Sequence, residues 1–403
     1  MMENAQQQRR AEKLWTADFI LITFASFFLF FGFQMLLPTL PVYMQDLGGD
    51  NTAVGLIIGI FTVFALVTRP LVGAVMGNSK KGWLMAGLLL CFVIISGYHW
   101  TTSVVLLLLA RCVHGVGWGV VTVTSGTLAA DVIPAARRGE GIGYFGLAST
   151  LAMALAPAIG LAILDGSWHM QGVIFIAAGS TILSLLCAWG VKRKRSNKDV
   201  HTANVEKPQA KPSFRSQLFE PKALFPSLLA LLIGIVYGGI VSFITLFGKE
   251  VNIGNVGLFF TLNAVCLLIV RLISGRLFDR KGHVWVILPG SVLMAAALIV
   301  LSYAHDLTTL AISAVLFGLG FGAVQPSLQA WILNRVEPAK RGPANATFYS
   351  MFDLGIGGGA MLLGQLAEAT SYAAMYRYSF LVVVFFCLVY VSYVWRRSES
   401  SLK

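Results

Sequence analysis

Long apolar stretches separated by short polar breaks dominate this chain. Twelve of them can be counted, at about 17–44, 53–76, 82–100, 103–128, 140–164, 170–191, 223–248, 254–275, 284–304, 307–333, 343–368 and 374–395. Each is close to the ~20 residues that an α-helix needs to cross a bilayer core. The pattern therefore predicts an all-α membrane protein with twelve transmembrane helices. The first stretch is too long for a signal-peptide core and no small-residue cleavage site follows it, so it reads as a retained helix. Two segments break the pattern. Residues 1–16 are polar, and residues 192–221 are basic and contain Pro208, Pro212 and Pro221. The second reads as a cytoplasmic linker between a six-helix unit over 1–191 and another over 222–403.

The two units echo each other. Val54-Gly55-Leu56 returns as Val256-Gly257-Leu258, and Arg69 and Gly73 return as Arg271 and Gly275, all at an offset of 202 residues. His114-Gly115-Val116-Gly117-Trp118-Gly119 matches Phe317-Gly318-Leu319-Gly320-Phe321-Gly322 at an offset of 203. A membrane chain whose second half repeats its first is expected to form two pseudo-symmetric six-helix bundles about an axis along the membrane normal. The site is then expected between them.

Composition agrees. Hydrophobic residues make up 57% of the chain and charged residues 12%, about half the charged share of a soluble domain. A net charge of +12 is of the size that nucleic-acid binders carry, but its distribution is not theirs. With the N-terminus inside, Lys80, Lys81, Arg137, Arg138, the 192–195 run, Arg280, Lys281, Lys340, Arg341, Arg396 and Arg397 all fall on one side. Lys249 and Arg377 fall on the other. That is the positive-inside pattern, which puts both termini in the cytoplasm. Cys91, Cys112, Cys187, Cys266 and Cys387 lie in the apolar runs, neither clustered with His nor paired in sequence, and read as packing residues. No metal cluster, cofactor fingerprint or nucleotide-binding phosphate loop is visible, so neither an enzyme nor an ATP-driven pump is expected.

Several motifs resemble those of the major facilitator superfamily, and the resemblance spans nearly the whole chain. Gly275-Arg276-Leu277-Phe278-Asp279-Arg280-Lys281-Gly282 is similar to that family's loop motif after the second helix of a half; Gly77-Asn78-Ser79 departs from it in the first half. The resemblance implies that Asp279 caps a helix or pairs with an Arg and so latches the halves. Arg111, followed by His114, Gly115, Gly117 and Gly119, resembles the fourth-helix motif; the family usually has Gln where His114 stands. Ala156-Pro157-Ala158-Ile159-Gly160 and the pair Pro38 and Pro41 resemble motifs of the drug and metabolite:proton antiporters within the superfamily. A twelve-helix transporter that exports a small organic molecule against protons is what this branch implies.

Polar side chains inside the apolar runs name the candidate site. Arg111 lies about eight residues into its helix, where a charge costs ~2.5–3.5 kcal/mol on the insertion scale. It must therefore meet a partner or a wet cavity. Asp353 is the lone acid placed near mid-membrane, on a stripe with Asn345, Tyr349 and Gly357 at spacing four. Asp353, Arg111 and His114 are the candidates for proton coupling. Gln34, Tyr237, Asn263, Gln325, Gln329, Asn345 and Tyr349 are candidates for lining a substrate cavity. Arg69, Gly73, Arg271, Gly275, Asp279, Arg280, Gly115, Gly119, Ala156, Pro157, Gly160, Pro38 and Pro41 are expected to serve gating and helix packing.

The leading expectation is a monomeric secondary active transporter of the bacterial inner or plasma membrane. It would bind a small-molecule substrate and protons, sit in the lipid bilayer, and have no nucleic-acid partner. The rival expectation is proton-coupled or facilitated uptake of a sugar, metabolite or organic anion. A non-transporting membrane sensor is a third class, and the short polar segments leave little room for its signalling domain.

Overall fold

In the computed structural model the described residues are 13–77, 79–134, 137–192, 221–337 and 340–400. Most of the expected linker, 193–220, lies outside them. Among the described residues there are twelve long helices: α1 (Ala17–Asp46), α2 (Asn51–Val75), α3 (Lys80–Gly97), α4 (Val104–Val132), α5 (Arg138–Leu164), α6 (His169–Gly190), α7 (Leu224–Glu250), α8 (Gly257–Lys281), α9 (Val284–Ser302), α10 (Leu307–Leu333), α11 (Arg341–Ala369) and α12 (Tyr372–Ser400). Each coincides with one apolar stretch to within about a turn and a half. Among the described residues, eleven are long and apolar enough to cross a membrane; α11, which carries the polar stripe, is the one that is not among them.

Local chemistry sets the ends. Thr16, Asp50, Ser103 and Asp306 each accept a hydrogen bond from the backbone N–H three residues on, capping α1, α2, α4 and α10. Ser103 and Asp306 stand at the 203-residue offset, so the echo extends to the caps. At Asp306 the Thr309 N–H holds the carboxyl below the usual carboxylate range. Gly77 after α2 and Gly282 after α8 turn the chain at φ +47° and +85°, a region that side chains with a Cβ rarely adopt. Helix α8 runs on through Gly275 and Asp279 to Lys281, so the segment expected as a loop motif is the last two turns of a helix.

Packing repeats between the bundles. In the first, α1 packs on α5 and α6, α2 on α4, and α3 on α4 and α6. In the second, α7 packs on α11 and α12, α8 on α10, and α9 on α10 and α12. The glycine series makes these contacts close. A Cβ on Gly119 would stand 2.8 Å from the Ala65 carbonyl oxygen of α2, and one on Gly322 would stand 2.9 Å from Leu267 Cα of α8. Gly117 and Gly320 face the other way, onto Cys91 of α3 and Gly290 of α9. Each glycine-rich helix is thus clamped on two sides. In α5, Ala148, Ala152 and Ala156 are buried, and a Cβ on Gly160 would meet Met35 of α1 at 3.0 Å. That stripe is a packing seam of the kind small residues form in membranes.

The bundles meet where the pseudo-symmetry requires: α2 against α11, α5 against α8, and α1 against α7. Twelve alternating helices put the start of α1 and the end of α12 on one face, here the terminal face. On the opposite, far face the cleft between the bundles is shut. Glu368 accepts a bond from the Asn51 N–H at the start of α2 (3.0 Å), and Gln45 Nε2 donates to the Tyr372 hydroxyl (3.0 Å). That hydroxyl in turn donates to Asn51 Oδ1. Below this, Gly55 lies against Ala360 and Gly357 against Thr62. A depression of about 650 Å³ on the far face, lined by Asp46, His99, Asp165 and Lys249 among others, opens outward.

Candidate functional site

The half-buried charges of the interface lie where the closed seam ends. Arg69 of α2 reaches across to Asp353 of α11, with Nη2 2.6 Å from Oδ2, and its Nε–H points to Thr122 Oγ1 of its own bundle at 3.4 Å. Arg271 of α8 repeats the arrangement. Its Nη1 donates across to Thr150 of α5 at 2.7 Å, and its Nη2 donates within its own bundle to Gln325 of α10 at 3.3 Å. Each residue of the first set has its counterpart 202 or 203 positions away: Arg69 and Arg271, Thr122 and Gln325, Thr150 and Asp353. The site is thus one constellation built twice. The copies differ in two places: the Thr122 hydroxyl is replaced by the Gln325 amide, and the Asp353 carboxylate by the Thr150 hydroxyl.

Toward the terminal face the same helix faces are open. Gly73 and Gly275 lie one turn beyond the two arginines, and Gly146 lies one turn beyond Thr150. A Cβ added at any of the three would meet nothing within 4 Å. Tyr349, one turn beyond Asp353, is 40% exposed. The two arginine contacts therefore form the roof of a cleft that opens to the terminal face.

Polar side chains line this cleft on one side. Gln329 Nε2 donates to Asn345 Oδ1 and to the Tyr349 hydroxyl, both at 3.1 Å. Tyr349 lies within electrostatic reach of both Arg271 and Asp353. The structure thus brings together Gln325, Gln329, Asn345, Tyr349 and Asp353 from the expected set. It adds Arg69 and Arg271, which sequence motifs placed among packing residues, and Thr122 and Thr150, which no motif singled out. A signal for the two threonines was present: the 203-residue offset applied to Asp353 and Gln325 lands on Thr150 and Thr122.

Other expected residues lie elsewhere. Tyr237 is 5% exposed and stacks on Phe321, with centroids 4.9 Å apart, inside the second bundle. Gln34 and Asn263 are buried, each with a side-chain oxygen that has no partner among the described residues. Neither hydrogen-bonds to the cleft cluster. Asp279 is exposed at the end of α8 and makes no ion pair or hydrogen bond among the described residues.

Arg111 is held inside the first bundle, only 1% exposed. Its Nε–H donates to the Ile57 carbonyl (3.0 Å), its Nη1 to His114 Nδ1 (3.3 Å), and the Phe61 ring lies 4.2 Å from its guanidinium carbon. An Arg can only donate, so His114 Nδ1 carries a lone pair; it also accepts from the Tyr98 hydroxyl at 2.8 Å. The partner that offsets the membrane cost of this charge is thus a carbonyl, an imidazole and a ring face. The arginine that meets Asp353 is Arg69. Arg111→Lys keeps the charge and loses the planar fork. It is expected to cost on the order of 2 kcal/mol from lost charge-assisted bonds and the ring contact. The measurement is the melting midpoint of the purified protein, and an unchanged midpoint would show that the fork is dispensable.

A twelve-helix membrane chain, with two bundles around a polar cleft closed at one face and open at the other, is a solute transporter by construction. The sequence profile of the Major Facilitator Superfamily matches residues 22–255 and 249–403, and the chain belongs to that family. It is a multi-pass membrane protein with a small-molecule substrate. The staphylopine export protein of Staphylococcus aureus is 23% identical, over 90% of this chain and 93% of that one. The multidrug resistance protein MdtG of Escherichia coli is also 23% identical, over 92% and 93%. Among solved structures, the nucleoside transporter NupG superposes with a TM-score of 0.70 at 14% identity, covering 93% of this chain and 99% of that one.

Proposed function

We propose that this protein exports a small organic molecule in exchange for protons, with the terminal face in the cytoplasm. The observation that carries the reading is the Arg69–Asp353 pair. It joins the two bundles by a carboxyl group at the roof of the open cleft, with side chains 17% and 30% exposed. A proton on Asp353 removes one charge of the pair and loosens the contact between bundles. Proton binding and bundle movement are then linked through one atom pair. Units 1–191 and 222–403, joined by the linker 192–221, rock about this contact as a monomer in a bacterial inner or plasma membrane. The basic residues on the terminal face agree with that orientation. Lys80 pairs with Asp131 at 2.6 Å, and Lys81 donates to the Trp189 and Val191 carbonyls at the end of α6, both at 2.6 Å. The export activities named for the staphylopine and multidrug relatives support the direction.

The energetics suffice without a nucleotide. One proton moving down 100 mV releases ~2.3 kcal/mol. At ~1.4 kcal/mol per decade this holds about a 50-fold gradient of a neutral solute. The test is a panel of amphipathic solutes in proteoliposomes with an imposed pH gradient. Solute is expected to move against the proton flux, and reversing the gradient is expected to reverse the movement. Movement with the proton flux would replace export by symport, and movement indifferent to the gradient would replace it by facilitated diffusion.

A further inference from the structure

The two copies of the arginine constellation differ at two positions, Thr122 against Gln325 and Asp353 against Thr150, and the second difference leaves a charge open. Arg69 has the Asp353 carboxylate at 2.6 Å. Arg271, its counterpart, meets Thr150 where a carboxylate would be, and no Asp or Glu lies within 4.0 Å of it among the described residues. Two of its N–H bonds go to neutral oxygens, of Thr150 and Gln325, and its buried Nε–H has no partner. A guanidinium carries five donors in a flat fork shaped to a carboxylate. An arginine in the middle of a membrane helix with no counter-charge is a functional site by default.

The surroundings say where a ligand would sit. Tyr349, Gln329 and Asn345 project from the second bundle into the cleft beneath the arginines. Their counterparts in the first bundle at the 203-residue offset include Gly126 and Gly146, where an added Cβ meets nothing within 4 Å. One bundle thus supplies polar groups and the other supplies room. A molecule entering from the open face reaches Tyr349 before it reaches Arg271.

We propose that Arg271 is the anion-binding residue of the central cleft, and that the transported molecule carries a carboxylate which completes the charge pair that Thr150 leaves open. The proposal rests on the reading of this cleft as the transport site. It assigns different tasks to the two arginines: Arg69 is neutralised from within the protein, Arg271 by the cargo. Arg111 is not a rival site, because its guanidinium is sealed between Ile57, Phe61 and His114.

The test is equilibrium binding to the full-length protein in nanodiscs, with no gradient. The probes are 1-naphthoate against 1-naphthamide, and N-acetylphenylalanine against its amide. Each pair has the same shape and differs in the negative charge. The wild type is expected to bind the carboxylate of each pair about ten-fold or more tightly than the amide, the range of a charge-assisted bond. R271Q is expected to reduce that preference to about two-fold or less, and R271K to restore part of it. T150D gives Arg271 the internal partner that Arg69 already has, and is expected to remove the preference while leaving the arginine in place. It serves as the second variant should R271Q fail to fold. Equal affinity for both members of each pair, no binding of either pair, or a preference that survives both R271Q and T150D would overturn the proposal. Preference without proton-driven movement would keep this assignment and remove the exchange reading, whereas proton-driven movement without preference would do the reverse.

Discussion

Replacing Asp353 by Asn is expected to abolish uphill transport while leaving substrate binding within a few-fold of wild type. The amide keeps the shape of the carboxyl and can still accept a bond from Arg69, now 2.6 Å away. What it cannot do is alternate between a charged and a neutral form. The contact between α2 and α11 then has one strength at every pH, and proton binding no longer biases the bundles. In proteoliposomes the accumulation ratio should fall from tens-fold to about one, the loss of the whole ~2.3 kcal/mol that a proton supplies per 100 mV. Exchange of labelled for unlabelled substrate, which needs no proton, should continue. Uphill transport retained in Asp353→Asn would place the coupling proton elsewhere, with His114 the next group to examine.

The second large effect is steric. Gly55 of α2 lies against the Ala360 carbonyl of α11, with Met361 Cα 3.0 Å from where its Cβ would be, and Gly364 Cβ would stand 2.5 Å from the Asn51 carbonyl. Backbone on the opposite bundle cannot step aside as a flexible side chain can. Gly55→Leu therefore wedges the far face, and only the state in which that face is shut feels the wedge. An overpacking cost of about 1–3 kcal/mol on one state turns a majority population into a minority one. Transport should drop by ten-fold or more. Spin labels at Asp165 and Lys249, on the two bundles beside the far-face depression, should move several ångströms apart in a background without the five native cysteines. Gly55→Ala should give a smaller shift in the same sense. An unchanged label distance with normal transport would show that the α2–α11 seam is not what closes this face.

How much of this was legible beforehand depends on how local the cause is. A membrane-spanning helix is specified by its own ~20 residues, because backbone hydrogen bonds must close within the segment in a medium without water. That is why twelve apolar stretches became twelve helices. Gly-x-Gly-x-Gly in α4 and α10 likewise announced close packing, since only glycine admits a neighbouring backbone on two sides. The echo went further than a motif could. It is a statement about two bundles, and it held down to the caps Ser103 and Asp306 and to the counterparts Thr122 and Gln325.

The sequence by itself determined the number of spans, their grouping into two related sets of six, and the presence of Asp353 on a polar stripe. Tertiary structure decided who meets whom. Arg69 and Asp353 are 284 residues apart and pair only because α2 of one bundle faces α11 of the other. Arg111 and Arg271 look alike along the chain, each a cation deep within an apolar stretch. One turns inward onto a carbonyl and an imidazole, and the other turns to the cleft between the bundles. That choice depends on helix rotation and on which neighbours fill the remaining space, neither of which is carried by a residue and its near neighbours. A charge in a membrane helix is visible in the sequence, but its partner is set by packing.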